Sequence, residues 1–356
     1  MDIQTKYSLK LLNYGVILME TIKYELNESI KMPENFYKIY KETPFAIFDI
    51  ETTGLNPFYN KVILIGMLYY NGSQLILEQL FCRSSREEMK LVAAFVEKIK
   101  SFHLLISYNG DNFDIPFLSK RIEINKIGNK MPNFCSLDLL KVVRSYQKPF
   151  NLENCKLKTL EKFLGIRRSD MISGEESVKL YNQYEITGDT KLRDTILLHN
   201  HDDLKYLMQS MIILDQVPHG ELLSILPWIL RGSCDQLCYI KKTLVQNNTL
   251  FISGSFLEGD SQDFIIHKQG FSYNYLGNSK MFSLQVPLHK GYLPKKTKCL
   301  YLDTNDYPFV YSPVSNHTSS VPNHLALIKE DMLLNNIEIN AFSRALMLYI
   351  MDNCCR

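Results

Sequence analysis

The sequence predicts a mixed α/β domain followed by a β-rich region that ends in helices. Three observations carry this expectation. Residues 45–48 form a short apolar run of strand length, and residues 62–70 and 73–81 are two more, separated by Asn71-Gly72, the dipeptide that best tolerates the positive φ of a tight hairpin. Beyond them, apolar positions from Met89 to Met211 recur mostly with helical spacing. After about residue 243 the pattern changes to strand-like alternation punctuated by Asn, Gly and Asp.

The composition bounds the problem. At 356 residues, 46% hydrophobic and 22% charged, the chain is long enough for one large domain or two ordinary ones with a sizeable core. A net charge of +2 gives no global pull toward a polyanion, so any such site must be a local patch. The longest apolar runs, residues 62–70 and 222–230, fall short of the roughly 18 residues a membrane span requires, and Pro227 interrupts the second. The opening carries Asp2, Lys6 and Lys10 rather than a basic stub and an apolar segment, so no signal peptide is expected. The eight cysteines include no C-x-x-C pair. They read as small thiols in a reducing compartment, without a disulfide framework or zinc site, and a cytoplasmic protein is expected.

Each element follows from local chemistry. Residues 1–44 are an N-terminal extension, with a possible amphipathic strand or helix at 9–18. Residues 45–216 form the first domain. After its strand and hairpin, Ser84 or Ser85 is placed to cap a helix, and residues 104–106 make a short buried strand. Asn109-Gly110 turns the chain into a helix with Asp114 at its start, where a capping aspartate is the structural alternative. From Ser136 the pattern reads as helical through Leu137, Leu139, Leu140, Val142 and Val143. A second helix over 157–164 is closed by Gly165, Ser173 opens a third, and Asp189 starts the last long one. Residues 217–356 form the second region. Residues 219–242 read as helical or irregular around Trp228, the only tryptophan, then strands follow to about 313, then helices over 324–335 and 337–354. Its aromatics Phe251, Phe256, Phe271, Tyr273 and Tyr275 read as core, with base stacking as the alternative.

The chemistry centres on residues 48–55, F-D-I-E-T-T-G-L. Asp49 and Glu51 lie two apart in a strand, so both project from one face. Two carboxylates there are costly without a cation between them, and hard divalent cations prefer such oxygens. On the last long helix, His199 and Asp203 are one turn apart on one face. Asp49, Glu51, Asp114 and Asp203 read together would hold two divalent metals roughly 4 Å apart, the arrangement of phosphoryl-transfer sites, with His199 placed as general base.

Those segments, together with N-G-D-N-F-D-I-P (109–116) and H-N-H-D-D-L (199–204), resemble the three motifs of DEDD-type 3′–5′ exonucleases. The intervening S-L-D-L-L (136–140), L-K-T-L-E-K-F-L-G-I-R-R (157–168) and S-G-E (173–175) are similar to the bacterial YprB-like branch of predicted exonucleases. The resemblance covers about residues 45–215 and implies a ribonuclease-H-like mixed β-sheet flanked by helices. It implies that Asp49, Glu51, Asp114 and Asp203 are the ligands of two Mg2+ or Mn2+ ions. In one DEDD subclass a tyrosine stands four residues before the last aspartate, and in the other a histidine stands five before it. Here His199 takes the four-before position, and His201 is its competitor as base.

The activity implied is 3′–5′ exonucleolytic hydrolysis of DNA or RNA, on a single-stranded 3′ end. Thr52, Thr53 and Asn109 would lie near the strand's backbone, with Arg167, Arg168, Lys120 and Arg121 as candidate phosphate contacts. The rival readings are a non-catalytic nucleic-acid-binding module and an enzyme that clears short oligonucleotides.

Overall fold

The computed structural model describes residues 19–27, 30–128, 131–167, 172–314 and 321–353. The chain divides into two compact units, one formed by Lys41–Leu214 with the described residues up to Tyr37, the other by Asp215 onward with Lys38–Tyr40. The segment 9–18, read as amphipathic, lies outside the described residues.

The first unit is a mixed sheet covered by helices on both faces. Its elements are β1 (Glu20–Leu26), α1 (Glu34–Tyr40), which runs on into the second unit, β2 (Phe45–Thr52), β3 (Val62–Asn71), β4 (Gln74–Phe81), α2 (Glu88–Ile99), β5 (Leu104–Ser107), α3 (Asp114–Ile124), β6 (Cys135–Asp138), α4 (Leu139–Tyr146), α5 (Leu157–Phe163), α6 (Gly174–Thr187) and α7 (Thr190–Ser210). The six strands lie in the order β1-β4-β3-β2-β5-β6. The first four are mutually antiparallel, and β2, β5 and β6 run parallel. The β3–β4 turn is the Asn71-Gly72 hairpin, with Gly72 at φ +61°. One face of β2 packs Ala46, Phe48 and Ile50 against Val92, Phe95 and Phe117 of α2 and α3. On the opposite face of the sheet, Ile63, Leu64 and Phe81 meet Tyr181, Tyr184, Ile196 and Leu197 of α6 and α7.

Helix ends follow capping chemistry. Ser173 and Glu176 form a reciprocal capping box at α6. Asp189 caps α7 through the Lys191 N–H at 2.9 Å.

Some expected elements are corrected. The stretch from Ser136 is a strand, β6, before it is a helix: Ser136 and Leu137 pair with Leu105 and Ile106. Four residues are too few for periodicity to separate strand from helix, and Asp138 marks the change by accepting from Leu140 N at 3.1 Å. Glu20–Leu26, within the stretch set aside as an extension, is an edge strand on β4.

The second unit contains α8 (His219–Ile225), β7 (Trp228–Arg231), β8 (Leu237–Gln246), β9 (Thr249–Phe256), β10 (Phe264–Lys268), β11 (Phe271–Leu276), β12 (Met281–Pro287), β13 (His289–Tyr292), β14 (Lys298–Asp303), β15 (Leu325–Glu330), β16 (Leu333–Leu334) and α9 (Asn336–Asn353). A six-stranded antiparallel sheet runs β10-β11-β12-β9-β8-β7, and a four-stranded one β13-β14-β15-β16. Trp228 thus lies in a strand, because Trp228–Arg231 pairs with β8. The expected helix over 324–335 is instead the β15–β16 hairpin, since its alternating Ala326 and Ile328 fill the core. Of the aromatics weighed for base stacking, Phe256, Phe271, Tyr273 and Tyr275 are buried. Phe256 packs on Tyr275 and Phe282, so these rings are core.

Candidate active site

The site forms where β2 and β5 part. The two strands pair in parallel only as far as Ile47 and Ile106. Beyond that point the Ile50 N–H has no strand partner, and Asp114, the first residue of α3, accepts it at 3.2 Å. The carboxylate is thereby fixed beside β2. Such a crevice, outside the carboxyl ends of parallel strands, is where open α/β sheets place ligands.

From the other side, α7 brings His199 and Asp203 over Glu51. His199 is buried, and its Nε2 lies 3.6 Å from Glu51 Oε1 and 3.6 Å from Asp203 Oδ2. Glu51, His199 and Asp203 each offer a ligand atom, all within 4.8 Å of one another. Asp202 and His201 turn elsewhere. They pair with each other at 3.2 Å, and the His201 ring sits edge-on to Tyr24 of β1.

The electrostatics register crowded negative charge. Burial, then repulsion by Asp114, Asp203 and Glu51, hold Asp49 well above the usual aspartate range, against a hydrogen bond from Asn200. Burial pushes Glu51 up to about 7, with His199 opposing and Asp203 adding to the rise. Burial likewise pushes Asp114 up to about 7, against backbone hydrogen bonds that include the Ile50 N–H. Ser177 of α6, fully buried, is close enough to Glu51 to favour its ionised form but makes no well-formed hydrogen bond. Buried carboxylates crowded beside an imidazole are a donor set that a divalent cation takes. The residues therefore fit such an ion.

Residues that sequence patterns missed hold this arrangement. Asp49, Gly66 and Gln79 lie side by side across β2, β3 and β4. Gly66 has no side chain, and Asn200 of α7 descends into the gap. Its Nδ2 donates to Asp49 Oδ2 at 2.9 Å, while Gln79 Nε2 donates to Asn200 Oδ1 at 2.9 Å and to the Leu197 carbonyl at 2.8 Å. A Cβ on Gly66 would stand 2.1 Å from Asn200 Oδ1. Only the tertiary register brings these residues together; their spacing in the chain carries no signal.

The candidate substrate contacts are less uniform. The Thr52 hydroxyl donates to the Gly54 carbonyl at 2.8 Å, and the Thr53 hydroxyl accepts from Lys61 N at 3.0 Å. Both hydroxyls brace the loop that follows β2. Asn109, at φ +70°, donates its N–H to Asp138 Oδ1 at 2.7 Å, so the S-L-D-L-L aspartate organises the turn leading to Asp114. Arg167 is exposed beyond α5, and Arg168 lies outside the described residues. Arg121 is no phosphate contact. It lies on the buried face of α3 in a bidentate pair with Glu88, at 2.7 and 2.6 Å. Lys120 pairs with Glu123 and covers the Phe58 ring.

Residues 46–214 match the family model of the RNase H superfamily, so this span carries an RNase H-like domain. An uncharacterized protein of Methanocaldococcus jannaschii is 27% identical over 167 residues, 45% of this chain and 89% of its own length. A DNA polymerase of the same archaeon is 31% identical over 119 residues, 29% of this chain but 7% of that protein. Among solved structures, a family B DNA polymerase of Pyrobaculum calidifontis overlaps 51% of this chain and 28% of its own, at 16% identity and TM-score 0.39. E. coli exonuclease I in complex with an oligonucleotide overlaps 62% of this chain and 56% of its own, at 15% identity and TM-score 0.28. Among the described residues no helix is long and apolar enough to cross a membrane.

Proposed function

We propose that this chain is a metal-dependent nuclease, a DEDD-type 3′–5′ exonuclease of the YprB-like branch that hydrolyses phosphodiester bonds of DNA or RNA. The observation that carries the reading is the convergence of Asp49, Glu51, Asp114 and Asp203, from β2, α3 and α7, beside buried His199. The partial sequence similarity to DNA polymerases supports a nucleic-acid substrate.

The four carboxylates would hold Mg2+ or Mn2+, which supply neutralisation of phosphate charge and an acidified water. His199 takes the proton of the attacking water. The loop after β2 presents Leu55, Phe58 and Tyr59 to solvent, apolar surface on which a single strand's bases can stack. In this reading residues 45–216 are the nuclease domain, and Asn109 and Arg167 flank the strand.

The test incubates the protein with 5′-labelled single-stranded DNA and RNA in Mn2+, Mg2+ or EDTA, beside the Asp49→Ala/Glu51→Ala double variant. A metal-dependent ladder shortening from the 3′ end, absent in the variant, is expected, and the better substrate identifies the sugar. Binding without cleavage in either metal would overturn the reading in favour of a non-catalytic binding module.

A further inference from the structure

The second unit contains a group of polar nitrogens that find no partner among the described residues. Its centre is Arg344 on α9. The guanidinium lies over the Trp228 ring, 4.5 Å from its centroid, and Nε donates to Asn340 Oδ1 at 2.8 Å. These two contacts fix the plane of the fork, and the Nη1 and Nη2 groups then find no carboxylate or carbonyl among the described residues. Asn340, one turn earlier on α9, is 7% exposed, and its Nδ2, also a donor, has no partner. His219, the first residue of α8, has a buried Nδ1 that is likewise unpartnered. Burial and the positive charges of Lys38 and Arg344 hold His219 below the usual histidine range. Burial also disfavours the charged form of Arg344, and the groups that oppose this are Cys238 and Tyr40 rather than a carboxylate.

A partly buried guanidinium ordinarily pairs with an acid, since desolvating a charge without a partner is costly. Buried polar atoms without partners mark strain or a water or ion. Asn340 Nδ2 is a donor and is held one contact from the guanidinium, and His219 Nδ1 donates in the tautomer that carries its proton there, so the cation beside them selects for an anion rather than a metal. A planar guanidinium matches tetrahedral oxyanions through two parallel hydrogen bonds. We propose that Arg344, Asn340 and His219, with Trp228 as the platform, form a phosphate-binding site in the second unit. It is separate from the carboxylate cluster and does not rest on the nuclease reading. Its ligand is a phosphate group, free or borne by a nucleotide strand.

Trp228 is the chain's only tryptophan and lies against the guanidinium, so its emission reports the site directly. The experiment titrates the full chain, in EDTA, with inorganic phosphate and separately with a short single-stranded oligonucleotide, using chloride at matched ionic strength as control. A saturable change in Trp228 emission with phosphate or oligonucleotide, absent with chloride, is expected. The arm that saturates at lower concentration identifies the source. Arg344→Met should weaken the response by about tenfold or more, as expected for losing hydrogen bonds to a charged group. Asn340→Leu, which leaves Arg344 in place, should weaken it several-fold and guards against misfolding of the first variant. No saturable response, an equal one with chloride, or one unchanged in a folded Arg344→Met or Asn340→Leu protein would overturn the proposal.

Discussion

Asp49 is held in place by an amide rather than by another charge. Asn200 reaches it only because Gly66, its neighbour across β3, has no side chain. Gly66→Ala would drive a methyl into Asn200 Oδ1 and toward Leu204 Cδ1, 2.6 Å away. Overpacking of this kind costs about 1–3 kcal/mol. Urea unfolding should show that loss, and divalent-cation affinity should fall with it as Asp49 loses its tether. Asn200→Ala would leave one N–H of the buried Gln79 amide without an acceptor while the other still reaches the Leu197 carbonyl, a penalty of about 1–3 kcal/mol. His199 poses a different question, because its Nε2 lies between Glu51 and Asp203. As a general base it can be removed without loosening the metal. His199→Ala should therefore cut turnover by about 10²–10⁴-fold with little change in Mn2+ affinity measured by calorimetry. A comparable loss of Mn2+ affinity would make His199 a ligand. In the sequence, a strand's period of two pairs Asp49 with Glu51 and a helix's turn of four pairs His199 with Asp203; the joining of the two pairs with Asp114 rests on the resemblance of the three motifs to those of DEDD-type exonucleases. Asn200, Gln79 and Gly66 were not legible there, because their meeting depends on strand register and helix docking.

At the scale of elements, the loop between β2 and β3 depends on α3. Arg121 donates to both Glu88 oxygens and to the Pro57 carbonyl at 3.0 Å, and Glu88 in turn accepts from Val62 N at 2.9 Å and from Asn125 at 3.0 Å. One buried ion pair thus ties α2 and α3 to the middle of that loop and to its junction with β3. Arg121→Met leaves Glu88 buried without its partner, and breaking a buried pair from one side costs about 3–5 kcal/mol. Denaturant midpoints should fall accordingly. The salt dependence of strand binding should keep its slope, whereas loss of a true phosphate contact would lower the slope by about one. As a sequence, Lys120-Arg121 resembles any solvated basic pair; the apolar neighbours Phe117, Leu118 and Ile122 carry Arg121 inward. The same limit applies to Cys135–Asp138 and the β15–β16 hairpin. Short apolar segments take their type from the strand available beside them. The β3–β4 hairpin, with its own turn chemistry, needed no such neighbour.

For the molecule as a whole, the crowded, buried carboxylates make stability depend on pH, and the direction of that dependence can be worked out. Glu51 and Asp114 titrate at about 7 in the folded chain, above the roughly 4 of an unfolded carboxylate. The fold therefore favours their protonated forms. That stabilisation is fully present below the unfolded value and is lost as pH rises through about 7. Glu78 works in the opposite sense. Burial alone would raise it, but hydrogen bonds from Tyr69, Lys98 and Lys23 bring it below the usual range. Its contribution is present above the unfolded pKa and fades as pH falls through the folded one. Without metal, the thermal midpoint should drop between pH 5 and pH 8 more steeply in the wild type than in Glu51→Gln, which carries no charge to desolvate. Glu51→Gln should also be the more stable of the two at pH 8 while its turnover is lost. A divalent cation binds the ionised carboxylates, so Mn2+ should raise the wild-type midpoint strongly at pH 8 and little at pH 5. Differential scanning fluorimetry of both proteins at the two pH values, with Mn2+ or EDTA, measures all of these terms. Equal Mn2+ shifts in wild type and Glu51→Gln would mean that the cation binds elsewhere on the chain.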